Sequence, residues 1–217
     1  INEPDADFGA IQQQWLANLK QFVTSFPKSE DAAEAMLQLA IAREFENLET
    51  EASTWYARII KQYPDTIAAR KAAGARRRLR SVGQKIALRG TTLSGKKIDL
   101  ASLRGKVVVV HYWATWCEPC LEQMEQLRTL QTRYGKKRFQ IVGVNLDTNA
   151  QDVKAYLQNQ RFQWSHLFEK GGLDSRLANE LGILSLPTML LIGADGKVLT
   201  RNLHIEAAEA QVKAALR

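Results

Sequence analysis

The chain has 217 residues, 45% hydrophobic and 24% charged, which excludes a disordered or fibrous chain and suffices for one large or two small cores. Its formal net charge is +7, and its apolar runs fall far short of the ~20 residues that span a bilayer. Two cysteines close together exclude a structural disulfide framework, and His111, His166 and His204 lack metal-ligand spacing, so neither a metal nor another cofactor is expected.

The sequence opens at Ile1 with an acidic lead, Asn2-Glu3-Pro4-Asp5, read as the start of a processed chain with any signal or anchor upstream. Over residues 8–79, apolar residues recur at three- and four-residue spacing, as in Trp15, Leu16, Leu19, Phe22 and Val23, which predicts helices. The segment Phe22-Val23-Thr24-Ser25-Phe26-Pro27 is echoed by Ile59-Ile60-Lys61-Gln62-Tyr63-Pro64 at an offset of 37, and Ala32 and Ala35 are matched by Ala69 and Ala72. An aromatic-Pro pair closing one helix, with Ala-rich positions opening the next, has the look of a tetratricopeptide-type hairpin, whose usual period is about 34. Two such units are fewer than these arrays need to stand alone. Residues 1–80 are therefore expected to form a small all-α domain that leans on a neighbour or on another molecule. It reads either as a spacer or as a surface for a protein partner. Arg70, Lys71, Arg76, Arg77, Arg78, Arg80 and Lys85 have no aromatic among them, and the pattern fits a solvated basic helix face better than a nucleic-acid footprint.

Ser81-Val82-Gly83 marks a shift in composition, and residues 81–217 form the second expected domain. Extended runs at 85–89 and 97–100 flank Thr92-Leu93-Ser94-Gly95 as a hairpin. Residues 106–113 form a β-branched run fit for a buried central strand. A helix over 118–134, a second central strand over 138–146 and a helix over 150–160 follow. Residues 162–168 read as extended, and 173–181 as a helix stopped by Gly182. Residues 188–192 and 197–202 flank Asp195-Gly196, a two-residue hairpin signal, and 206–217 close the chain as a helix. The fold class is α/β, a mixed sheet with flanking helices behind a helical leader.

Cys117 and Cys120 stand where a buried strand gives way to a helix. Unpaired N–H groups and the positive end of the helix dipole stabilise a thiolate at Cys117 and make it the attacking sulfur. Pro119 fits the first turn, where no N–H is needed. Cys120, one turn on, is placed to resolve a mixed disulfide and should be the more buried of the two.

Trp113-Ala114-Thr115-Trp116-Cys117-Glu118-Pro119-Cys120 resembles the active-site signature of the thioredoxin superfamily, and its Cys-Glu-Pro-Cys form is similar to the TlpA/ResA-type bacterial thiol–disulfide oxidoreductases. The resemblance covers residues 81–217, including the strand–helix segment near 149–168, Gly143-Val144-Asn145-Leu146-Asp147 and Leu186-Pro187-Thr188. It implies a thioredoxin-like fold and disulfide exchange with cysteine-containing protein substrates, with the redox pair in place of a cofactor. It further implies reduction as the favoured direction, an upstream electron donor, and an extracytoplasmic, periplasmic or cell-envelope setting with an upstream membrane tether. By the same resemblance Pro187 follows a cis bond and lies against the dithiol, and Leu186 pairs with an extended substrate. Trp116, Pro119 and Thr188 complete that substrate surface.

Glu118 either tunes the neighbouring thiolate or merely complements the helix dipole. His111 matches the place where thioredoxins carry a buried acid. It reads either as a proton carrier for the resolving sulfur, titrating near neutrality, or as a hydrogen-bonded core residue. Asp147 is a weaker acid–base candidate, and capping the next helix is the role its position favours. The alternative function is a binding or scaffold protein that works through the helical domain, with the redox site secondary.

Overall fold

The structure, a computed structural model, describes residues 7–135, 138–160 and 162–217; the acidic lead at 1–5 lies outside them. Four helices come first: α1 (Phe8–Ser25), α2 (Glu30–Phe45), α3 (Glu49–Gln62) and α4 (Ile67–Leu79). The sequence echo is a structural repeat of two helical hairpins. Ser29 and Thr66 cap α2 and α4 by accepting from the Asp31 and Ala69 amides at 3.2 and 3.1 Å. Phe26 and Tyr63 end α1 and α3, their amides returning to the Phe22 and Ile59 carbonyls. The matched alanines, Ala32, Ala35, Ala69 and Ala72, are all buried, because small side chains let helices approach closely.

The remainder begins with a hairpin of β1 (Arg89–Thr91) and β2 (Lys97–Asp99). Then come β3 (Val107–Trp113), α5 (Glu118–Tyr134), β4 (Phe139–Asn145), α6 (Ala150–Gln160), β5 (Ser165–Phe168), α7 (Arg176–Asn179), β6 (Thr188–Ile192), β7 (Val198–Thr200) and α8 (Ile205–Ala215). The main sheet has the order β5-β4-β3-β6-β7, with β3, β4 and β5 parallel and β6 and β7 antiparallel to their neighbours. All seven residues of β3 are buried. Val107, Val109 and Trp113 pack with α5 and α8 on one face, and Val108, Val110 and Tyr112 pack with Leu177 and Leu181 on the other. This is why the strand reads as a continuous apolar run rather than an alternating one.

Local chemistry corrects several expected boundaries. The first hairpin arm is at 89–91 rather than 85–89, and Lys85 instead bridges Lys197. The helix expected over 173–181 is broken: a 3-10 turn (Gly172–Asp174) precedes α7, and Ser175 caps α7 by accepting from the Ala178 amide at 3.3 Å. The β6–β7 connection spans five residues, 193–197, closed by the Gly193 amide donating to the Lys197 carbonyl at 2.8 Å. The Gly196 amide donates to the Gly193 carbonyl at 2.9 Å with Gly196 at φ +82°, and a bulge falls at Leu191/Ile192. A turn of that geometry leaves no room for the two-residue connection. β5 begins at Ser165, three residues after the extended run was expected to start.

The basic stretch is not a uniformly solvated face. Lys71 pairs with Asp174 at 2.7 Å, Arg77 donates to the Glu180 carbonyl, and Arg78 donates from Nε to the Leu181 carbonyl at 3.2 Å. The other end of Arg78 meets Glu44 Oε2 at 3.0 Å, and Glu44 also accepts from the Tyr56 hydroxyl at 2.6 Å. These bonds fasten α4 to α7 and to the helical core. Glycines complete the seam: a Cβ on Gly74 would stand 2.0 Å from the Asn179 carbonyl oxygen, and one on Gly182 would stand 2.0 Å from the Ala75 nitrogen. Gly74→Ala gains helix propensity worth up to about 1 kcal/mol, yet forces backbone apart. The expected net loss is about 1–3 kcal/mol, read as a lower urea midpoint with unchanged slope.

Candidate active site

Strand β3 ends at Trp113, and after three intervening residues Cys117 is the N-cap of α5. Its Sγ accepts from the Cys120 amide at 3.3 Å, and Pro119 occupies the first turn. The two sulfurs are joined in a disulfide, S–S 2.09 Å. Cys117 is 4% exposed and Cys120 0%, so only Cys117 presents an outward edge. Trp116, at 62% exposed, forms the rim with exposed Glu118 and Pro119, whereas Trp113 is wholly buried. Glu118 makes no hydrogen bond or ion pair among the described residues.

The loop before the disulfide is held from below. Asp147 accepts from the Thr115 amide at 2.9 Å, from the Thr115 hydroxyl at 2.6 Å and from the Asn145 side-chain amide at 2.6 Å. The Leu146 amide donates to the Trp113 carbonyl at 2.8 Å. Asp147 is therefore a brace for the active-site loop and not the cap of the next helix. That task falls to Asn149, which accepts from the Gln151 amide at 2.9 Å.

Register brings the proline loop to the same end of the sheet. Thr188 lies opposite Tyr112 and Met189 opposite His111. This places Pro187, whose peptide bond is cis, beside the loop that leads to Cys117. Leu186 packs against the core that contains both cysteines, and the Thr188 hydroxyl donates to the Ser185 carbonyl at 2.8 Å.

Beneath the disulfide, Met189, His111, Gly143 and His166 form one row across four strands. Both imidazoles are buried; His166 has no hydrogen-bond partner among the described residues, and His111 has only a loose contact with the Gln123 side chain. Burial pushes His111 down to about 3, only partly opposed by the Gln123 amide. Burial, and then the proximity of His111, take His166 down to about 3 as well. The His166 ring occupies the space a Gly143 side chain would fill (Cβ to Nδ1 2.3 Å) and packs edge-on to Trp113 at 5.2 Å. Without a carboxylate to hold a proton, His111 does not titrate near neutrality; it is a core residue with the Gln123 amide as its polar neighbour.

A family model described as Redoxin matches residues 77–216, more than half of the chain. The chain belongs to the redoxin family. Among curated redoxin relatives, the thiol-disulfide oxidoreductase ResA of Bacillus thuringiensis subsp. konkukian is 34% identical over 109 residues, which is 50% of this chain and 61% of that protein. The thioredoxin-like protein YneN of Bacillus subtilis is 30% identical over 117 residues, covering 52% of this chain and 65% of that protein. The similarity thus spans less than two thirds of the length of these relatives. Among solved structures, a thiol-disulfide oxidoreductase from Bacteroides fragilis shares 27% identity at a TM-score of 0.55, over 60% of this chain and 97% of that one. A thioredoxin-family thiol:disulfide interchange protein from Chlorobium tepidum shares 26% identity at a TM-score of 0.50, over 60% and 94%. The fold is thioredoxin-like, with a four-helix region ahead of it.

Sequence reasoning missed Gln123, one turn beyond Cys120 with its Oε1 buried near His111, and the place of His166 beside Trp113 in the same core. No local pattern signals either one; both follow from packing and cross-strand register. The two depressed histidines have a consequence for stability in this redoxin. Below pH 6.5 the unfolded chain binds protons that the folded chain refuses down to about pH 3, so stability falls as pH falls through that window. From pH 6.5 to 4.5 each histidine should account for roughly 2–3 kcal/mol of lost stability, so His166→Gln should show a shallower decline in urea midpoint than the parent.

Proposed function

We propose that this redoxin is a thiol–disulfide oxidoreductase that exchanges its Cys117–Cys120 disulfide with cysteine-containing proteins, working as a reductant. The observation that carries the proposal is the placement of the pair. One sulfur caps a helix with a narrow outward edge, and the other is fully buried behind it. The names of the relatives support the same chemistry. The resemblance to TlpA/ResA-type proteins supports the reductive direction, an upstream electron donor and an extracytoplasmic setting with a tether. No helix among the described residues is long and apolar enough to cross a membrane. The repeated hairpins support reading residues 1–80 as a tetratricopeptide-like module and residues 81–217 as the redox domain.

In the reduced protein, the Cys117 thiolate attacks one sulfur of the partner's disulfide. That S–S bond breaks, a mixed disulfide forms, and the departing partner sulfur takes a proton. The Cys120 thiol then loses its proton and attacks Cys117 Sγ, which breaks the mixed bond and frees the second partner thiol. The partner gains two electrons and two protons, and the protein is left with the disulfide seen here. The α5 N-terminus favours the first thiolate through its dipole and the Cys120 amide. In this reading Trp116, Pro119, Leu186, Pro187 and Thr188 receive the incoming chain, with Glu118 at its edge. His111 acts as an uncharged packing group beneath the pair.

Cys117→Ala should abolish reduction of insulin disulfides, and retained turnover would refute the assignment. Cys120→Ala should accumulate mixed disulfides with partner proteins, seen as reducible adducts on non-reducing gels of a competent extract. An extract that yields none would argue against protein substrates.

A further inference from the structure

A groove of about 740 Å³ opens between the helical region and the proline loop. Ile41, Phe45 and Asn47 form its helical wall, and Leu186–Thr188 with the segment entering α8 form the other side. The Glu44–Arg78 and Glu49–Arg201 ion pairs join the helical wall to its surroundings at the groove. Because these charges are paired within the protein, the groove offers little attraction to a polyanion.

Three features point to the occupant. The amides of Leu184, Ser185 and Leu186, along one side, donate to no backbone carbonyl among the described residues. Gln123, on the helix that carries Cys120, brings an amide side chain to the groove lining, its Oε1 buried. Phe45 is 69% exposed and Val82 53% exposed, apolar surface at the rim of a polar channel. Free backbone donors beside apolar contacts are what an extended polypeptide satisfies, main chain to main chain and side chain to pocket. A small ligand would not use both ends.

We propose that this groove holds an extended stretch of the protein whose disulfide is exchanged. The stretch continues from Leu186 onto the helical wall and lays an apolar side chain on Phe45. The helical region thereby selects the substrate. This inference rests on the oxidoreductase reading and assigns a specificity surface to it.

The test uses the reduced full-length protein and two probes. One is hydroxyethyl disulfide, too small to reach the helical wall. The other is an uncharged peptide of about a dozen residues, long enough when extended to cross the groove, with leucines flanking one cysteine held as its mixed disulfide with glutathione. Phe45→Glu, at a largely exposed position, should lower the ratio of kcat/KM for the peptide to that for the small disulfide by about tenfold, as loss of one aromatic anchor does. Val82→Glu, elsewhere on the rim, should lower the same ratio. An unchanged ratio in both variants overturns the groove, as does a parent protein that reduces hydroxyethyl disulfide but not the peptide. A parent protein that reduces neither probe overturns the oxidoreductase reading itself.

Discussion

Everything at the redox end of this molecule depends on where β3 stops. The strand is buried on both faces and hydrogen-bonded along both edges, to β4 on one side and β6 on the other. Its ends cannot slip without reversing every side chain between two cores. The chain therefore leaves the sheet at a fixed point, and after three intervening residues Cys117 opens a helix. The Asp147 carboxylate holds that short exit by the Thr115 backbone and hydroxyl. An anion that accepts three hydrogen bonds in a buried position is a rigid support, since each bond lost would leave an unpaired polar group. The reactive sulfur is thus positioned by the sheet, and its electrostatic environment is set by the helix.

The same sheet explains why two imidazoles can lie under the disulfide without charge. Gly143 removes a side chain at the centre of the row, and His166 fills the space. Around it Trp113, Tyr156, Phe162 and Trp164 make an aromatic layer with ring separations between 4.6 and 6.2 Å. Such a layer packs well and keeps water from both imidazole rings, and that loss of solvation disfavours their charged forms. The dithiol therefore sits above a floor that favours uncharged groups, and stabilisation of a thiolate must come from the helix end above it.

Much of this was legible in the sequence, and the reasons are particular. The strand at 107–113, the helix at 118–134 and the order of burial of the two cysteines follow from one β-branched run, one proline and one turn of helix. The repeat of hairpins was visible because Phe26-Pro27 and Tyr63-Pro64, and the alanines after them, recur at one offset; the matching caps at Ser29 and Thr66 came only with the structure. The sequence did not show that Arg77 and Arg78 reach backbone carbonyls more than a hundred residues away, since a basic helix face looks alike whether water or protein faces it. Nor could it separate a serine cap at Ser175 from a helix running through. His111 was placed correctly as buried, but its charge depends on neighbours drawn from other strands.

The glycine seam bears on what counts as one unit. The redoxin pattern starts at residue 77, inside α4 and after Gly74, while Gly182 on the opposite side of the contact lies within the pattern. A fragment trimmed to the pattern would cut α4 and keep half of a contact shaped for a backbone no longer there. The boundary of family ancestry and the boundary of structural self-sufficiency do not coincide in this chain. The four helices are less an appendage to an oxidoreductase than the buttress against which one of its faces was shaped.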